Sequence, residues 1–139
     1  MGIGSSAGGL DTFKKLLKSI PAEQGMAYVL IQHLDPVYKS HLSVLLQKIT
    51  PIPVTEITNG VQLQPNHIYV LPGNKLLSVK DDKLILKPLT NNKVQRSQII
   101  DSFFTSLARV YETHAVGVVL SGTASDGTMG LKAIKDHGG

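Results

Sequence analysis

Three short stretches of this 139-residue chain carry side chains that could act on a substrate together. "GIGSSAGG" (residues 2–9) sets Ser5 and Ser6 among glycines, "VLIQHLDP" (29–36) holds His33, and "VVLSGTASDGTMG" (118–130) holds Asp126. A serine hydroxyl is a poor nucleophile until a base takes its proton during attack. Histidine can take that proton near neutral pH and return it to a leaving group. A carboxylate can fix the histidine tautomer and stabilise the imidazolium. Together the three residue types point to acyl transfer, with Ser6, His33 and Asp126 expected within hydrogen-bond reach of one another.

Each stretch alone has a plainer reading. The glycines could make a tight strand-to-helix turn, His33 could be a core histidine bonded to backbone, and Asp126-Gly127 could only start a helix. "GIGSSA" also matches the G-x-G-x-x-A variant of a dinucleotide fingerprint. A nucleotide site would want an acid at the end of the second strand, where this chain has His33, with Asp35 beyond it. A nucleotide- or phosphate-binding module therefore stays open, as does a catalytically idle domain that docks signalling partners. The chain order Ser, His, Asp differs from that of the α/β-hydrolases, and their G-x-S-x-G pentapeptide is absent as such.

The elements that must position these residues alternate. Residues 1–5 read as the end of a buried strand. Residues 10–20 place Leu10, Phe13, Leu16, Leu17 and Ile20 on one helical face, and Pro21 closes that helix. "MAYVLIQ" (26–32) is the unbroken apolar run of a central parallel strand. Ser40 is expected to cap a short helix over 41–49, and "VTEI" (54–57) to form a short strand. Residues 68–87 read as a hairpin insertion turning at Asp81-Asp82, with His67 heading an exposed hairpin strand. A polar loop (91–97), an amphipathic helix (98–112) capped by Ser97, a buried strand (115–122) and a last helix ending at Asp136-His137 complete the pattern. The alternation predicts an α/β fold: an open, mostly parallel, doubly wound sheet with helices on both faces and an antiparallel hairpin portion. In such sheets ligands bind beyond the carboxyl ends of the strands, where the strand order reverses. Ser6, His33 and Asp126 all follow expected buried strands, and the helix from Leu10 points its N-terminal amides toward Ser6.

Composition narrows the field. Hydrophobic residues make up 42% and charged ones 17%, an ordinary globular balance. The absence of cysteine excludes a disulfide scaffold, a thiolate metal site and a cysteine nucleophile. The net charge is +4, but the lysines are scattered and the three Phe and four Tyr form no basic-aromatic cluster, so nucleic acid is not an expected partner. No apolar run is long enough for a membrane span and no signal-peptide pattern is present, so a cytoplasmic location without membrane insertion is expected. His41, His67, His114 and His137 read as structural or solvated. No third ligand is spaced with His33 and Asp126, so neither metal nor cofactor is expected.

"GIGSSAGGLDTF", "VLIQHLDP" and "VVLSGTASDGTMGLKAIKDHGG" together resemble the catalytic domain of the bacterial chemotaxis protein-glutamate methylesterases, with "NHIYVLPGNKLL" and "IIDSFFTSLA" in support. "QHLDP" and the "SDG" stretch look most like the version fused to a receptor methyltransferase in multidomain sensory proteins. The resemblance covers essentially the whole chain. It implies hydrolysis of glutamate methyl esters on chemoreceptors, with glutamine deamidation by the same acyl-enzyme route. It also implies Ser6 as nucleophile, His33 as base, Asp126 as orienting acid, and backbone support for the oxyanion around Thr123 and Ala7. The methylated cytoplasmic region of a chemoreceptor and a fused or partner methyltransferase are the implied partners. Ala7 stands where many members have threonine, and Ala124 where the oxyanion loop usually has glycine. The family's receiver domain has no counterpart in these residues. Residues 1–139 are expected to be one methylesterase catalytic domain, trimmed slightly at the N-terminus and continuing past the C-terminal glycines into further strand and helix.

Overall fold

The computed structural model describes residues 1–6, 9–33, 41–120 and 125–139. In chain order its first elements are β1 (Gly2–Ser5), α1 (Leu10–Ser19), β2 (Ala27–Gln32), α2 (Leu42–Gln47), β3 (Val54–Glu56), β4 (Val61–Gln62) and β5 (His67–Val70). There follow β6 (Lys75–Lys80), β7 (Lys83–Pro88), α3 (Lys93–Arg96), α4 (Ile99–Tyr111), β8 (Gly117–Val119) and α5 (Thr128–Asp136). Five strands form one sheet in the order β3-β5-β2-β1-β8, with every pairing parallel. A second, antiparallel sheet has the order β4-β7-β6. Among the described residues no helix is long and apolar enough to cross a membrane.

The period-2 pleat of β2 explains the layering. Tyr28 and Leu30 face one way, into a core that holds Ile3, Phe13 and Leu17 of α1 and Leu46 of α2. Val29 and Ile31 face the other way, against Ile100, Phe103, Phe104 and Leu107 of α4 and Ile134 of α5. The second core also takes Leu77, Val79 and Leu84 from the small sheet, which thus packs on α4. An unbroken apolar run is what a strand covered on both faces requires.

Several local expectations change. His67–Val70 does not belong to the hairpin: it lies in the parallel sheet between β2 and β3, with Ile68, Tyr69 and Val70 buried. Pro72, Gly73 and Asn74, the last at φ 57°, separate it from the true hairpin of β6 and β7. That hairpin does turn at Asp81-Asp82, where φ values of 51° and 60° suit a tight turn of the hand that matches strand twist. Residues 91–97 are not all loop, because Asn92 Oδ1 accepts the amides of Val94 and Gln95 and starts α3. Ser97 ends that helix, its hydroxyl donating to Val94 O at 2.8 Å, and does not cap α4. Helix α2 is shorter than expected because Gln47 turns away to bond Thr50 O, Ile52 O and the Val54 amide. Its N-cap is His41, with no side-chain bond, and Ser40 lies outside the described residues. Of the strand expected over 115–122, β8 covers the half-buried Gly117–Val119, and Ser121 and Gly122 lie outside the described residues.

Candidate functional site

The sheet brings three strand ends together. β1 lies between β2 and β8, and the register pairs Ser5 with Gln32, so Ser6 and His33 leave the sheet side by side. The His33 amide continues the ladder by donating to Ser5 O at 3.1 Å, and the Leu120 amide donates to Gly4 O at 2.9 Å on the other side. The chain order reverses beside β1, where an open α/β sheet offers its crevice. The pleat that turns Gly4 and Ile31 toward α4 directs Ser6 and His33 to that same face.

Asp126 meets them there. His33 Nε2 and Asp126 Oδ2 are 2.7 Å apart, with the carboxylate side chain 2% exposed and the imidazole 30% exposed. The carboxylate is also the cap of α4, whose own N-cap residue Gln98 supplies no side-chain bond. Asp126 Oδ2 accepts the Ile100 amide at 3.0 Å and Oδ1 accepts the Asp101 amide at 2.8 Å. Both carboxylate oxygens thus accept first-turn amides at the N-terminal end of the helix. An ionised carboxylate can only accept, so the His33 Nε2 carries the proton and Nδ1 is left with its lone pair.

The two serines divide. Ser5 is fully buried and its hydroxyl donates to Ser6 O at 3.2 Å. Ser6 is half-buried, and its carbonyl also accepts from the Gly9 amide and from Gln32 Nε2, each at 3.0 Å. Those bonds fix the Ser6 backbone without using its hydroxyl. No hydrogen bond joins the Ser6 hydroxyl to His33, so the histidine–aspartate pair is closed while the serine stands adjacent to it. Sequence reasoning missed both Gln32, which the "QHLDP" stretch includes but does not mark as a support, and Asp101, which it does not single out. Thr123, Ala7 and Ala124 lie outside the described residues.

The glycines do a different job from the one their pattern suggests. A Cβ on Gly2 would come 2.7 Å from Phe104, and one on Gly4 would come 2.7 Å from Ile100. Neither residue has a positive φ. Both are flat places where α4 lies close on β1, which is how Ile100 comes to reach Asp126. The space a Cβ would take at each of these two glycines is already filled by α4. Gly9 is also required for space, since a Cβ there would collide with Ser5 Oγ. Among the described glycines of the site, Gly127, at φ 101°, is the one in the left-handed region.

The other histidines stand apart. His67 Nδ1 bonds Pro65 O at 2.9 Å and His137 Nδ1 bonds Ala133 O at 2.8 Å, both local backbone contacts. Among the described residues, no group of three His, Cys, Asp or Glu side chains could hold a metal ion. A cleft of about 230 Å³ opens beside His33, with Leu71, Pro72, Lys75 and Arg96 in its wall.

Comparison with known proteins bears on the family and the fold. The family model described as CheB methylesterase matches residues 1–139. A Leptospira interrogans protein named putative protein-glutamate methylesterase/protein-glutamine glutaminase is 32% identical over 137 residues, covering 99% of this chain and 71% of that protein. A Pseudomonas syringae protein-glutamate methylesterase/protein-glutamine glutaminase is 36% identical over 137 residues, 98% of this chain but 40% of that protein. The crystal structure of the Thermotoga maritima CheB methylesterase catalytic domain superposes with a TM-score of 0.86 at 25% identity, covering 99% of this chain and 75% of that one. With a family model matching residues 1–139, a relative 32% identical over 99% of the chain and the same fold, the chain belongs to the CheB methylesterase family.

Proposed function

We propose that this chain is a protein-glutamate methylesterase: a serine carboxyl-ester hydrolase that removes methyl groups from glutamate methyl esters of chemoreceptors in sensory adaptation. The observation that supports it is the 2.7 Å His33–Asp126 pair at the strand ends beside Ser6. Ser6 Oγ attacks the ester carbonyl carbon while its proton passes to His33 Nδ1. The imidazolium is stabilised by its Nε2–H bond to Asp126. Backbone amides around Thr123 and Ala7, with the N-terminus of α1, receive the charge on the carbonyl oxygen. The tetrahedral intermediate collapses, Nδ1 returns the proton to the departing methoxide, and methanol leaves an acyl-serine. Water, deprotonated by the same Nδ1, then attacks the acyl carbon and releases the glutamate and Ser6. An amide follows the same route with ammonia as the leaving group, so glutamine deamidation is the second activity. The route needs no group beyond water.

The cleft beside His33 receives the esterified side chain, with Leu71 and Pro72 against its methylenes. The methylated helices of a chemoreceptor's cytoplasmic region are the macromolecular partner, which places the activity in the cytoplasm. The "QHLDP" and "SDG" stretches favour a receptor methyltransferase as a fused or partner domain of the parent protein.

The test is methanol release from receptor membranes carrying radiolabelled methyl esters. Ser6→Ala should leave the far-UV spectrum unchanged and lower kcat on the order of 10⁴-fold. Wild-type release by Ser6→Ala with an inactive Ser5→Ala would overturn the assignment.

A further inference from the structure

The geometry points to Asp101 as the positioning residue that holds Asp126 against His33. This rests on the proposed triad, but the supporting contacts are independent of any activity. Helices α4 and α5 meet at their N-termini, and each lacks a side-chain cap from its own N-cap residue, Gln98 and Gly127. The first-turn amides of such an end need acceptors. The two helices exchange them. Asp126, one residue ahead of the α5 N-cap, accepts the α4 amides of Ile100 and Asp101 at 3.0 and 2.8 Å. Asp101, in the first turn of α4, accepts the α5-side amides of Gly127 and Gly130 on its Oδ1, at 2.9 and 2.7 Å.

Asp101 therefore grips the Asp126 segment twice. Its amide bonds the Asp126 carboxylate, and its carboxylate bonds the amide of Gly127, the next residue. Gly127 sits at φ 101°, so the backbone directly after Asp126 is in a conformation that few residues adopt, and Asp101 holds it there. Gly130 makes the approach possible: a Cβ on it would lie 3.1 Å from Asp101 Cα and 2.5 Å from Phe104 Cβ. Without the Asp101 carboxylate, two α5 amides lose their acceptor, and the segment carrying Asp126 is tied to α4 from one side only. Displacement of a catalytic group by about 1 Å is enough to cost on the order of 10²-fold in rate.

The experiment compares Asp101→Ala, Asp101→Asn and a control, Gln47→Ala, which removes three bonds to Thr50, Ile52 and Val54 in and after the α2–β3 connection. Two quantities are read: kcat and KM for ester hydrolysis, and the downfield proton resonance of His33 Nε2–H, assigned by its absence in Asp126→Ala. Asp101→Ala should lower kcat 10- to 100-fold with KM within two-fold, and should broaden or remove the resonance. Asp101→Asn keeps an acceptor for both amides and should restore most of both signals. Gln47→Ala should keep both at the wild-type level. If Asp101→Ala does not fold, Asp101→Ser, which offers one short acceptor, is read by the same criteria. Wild-type kcat and an unchanged resonance in the alanine or serine variant would overturn the proposal. So would an equal loss in Gln47→Ala. If the wild-type protein hydrolyses no ester while the resonance still responds to Asp101, the functional reading fails and the positioning role stands.

Discussion

Gly4→Ala separates the packing role of the first motif from a ligand-binding one. The new Cβ would lie 2.7, 2.8 and 3.0 Å from the Cδ1, Cγ2 and Cγ1 atoms of Ile100. Overpacking of this kind costs roughly 1–3 kcal/mol, because a filled core yields only by moving backbone or leaving rotamers. Against it stands the entropy relieved when a strand glycine becomes alanine, roughly 0.5–1 kcal/mol. The net expectation is a loss of about 1–2 kcal/mol, which for a chain of this size lowers Tm by roughly 3–8 °C. The displaced atoms belong to the residue whose amide holds Asp126 at 3.0 Å, so kcat should fall about ten-fold as well. Ile100→Val removes the Cδ1 atom and by itself costs roughly 0.5–1.5 kcal/mol. Combined with Gly4→Ala it should cost about 1 kcal/mol less than the two separate losses. The assay is thermal unfolding by circular dichroism of the wild type, the two single variants and the double variant, with ester hydrolysis alongside. A Gly4→Ala protein as stable as wild type, or strict additivity with Ile100→Val, would refute the reasoning. Titration with a dinucleotide by calorimetry should show no heat of binding in any of the four.

Other outcomes follow from the same contacts. His33→Gln and Asp126→Asn should each be severe in kcat. Adding Ser6→Ala to either should lower kcat little further, since residues that act as a unit fail together; losses that multiply would argue against a triad. The Tyr111 hydroxyl donates to Asp82 at 2.6 Å, and burial first, then that bond and the negative charge of Asp82, raise its pKa above the ordinary 10.0. The folded state therefore holds this proton more tightly than the unfolded chain. Its contribution is fully present below pH 10 and is lost as pH climbs toward the folded value, so Tyr111→Phe should flatten the alkaline fall in stability measured by urea unfolding. An equally steep alkaline fall in Tyr111→Phe would remove Tyr111 as its source.

Much of the layout was legible because the pattern and the physics coincide. An apolar run such as residues 26–32 has few options besides a strand covered on both faces, and polar residues directly after such runs stand at the sheet's carboxyl edge. His33 and Asp126, 93 positions apart, are brought together by that logic. What escaped notice depends on contacts that local spacing does not encode. Asp101 looks like an ordinary acid in the first turn of its own helix, and only the approach of α5, permitted by Gly130, shows that it serves the neighbouring helix. His67–Val70 was absorbed into the hairpin because its apolar residues run straight into a Pro-Gly-Asn turn, and strand direction is set by which neighbour it pairs with. Ser97 was read as a cap, but a hydroxyl at that place can equally bond backward to Val94 O. The G-x-G spacing suggested a loop for a ligand, whereas the missing side chains at Gly2 and Gly4 admit Phe104 and Ile100.

The choice of nitrogen in the His33–Asp126 pair has a consequence for covalent probes. With Nε2 committed to a carboxylate that is 2% exposed, the only ring nitrogen free to meet an electrophile is Nδ1, the one nearer the backbone. Affinity labels whose reach is set for the outer nitrogen of a catalytic imidazole would place their reactive carbon at the wrong depth. A label for this site needs a shorter arm, and nitrogen-15 NMR of the adduct should find the modification on the inner nitrogen.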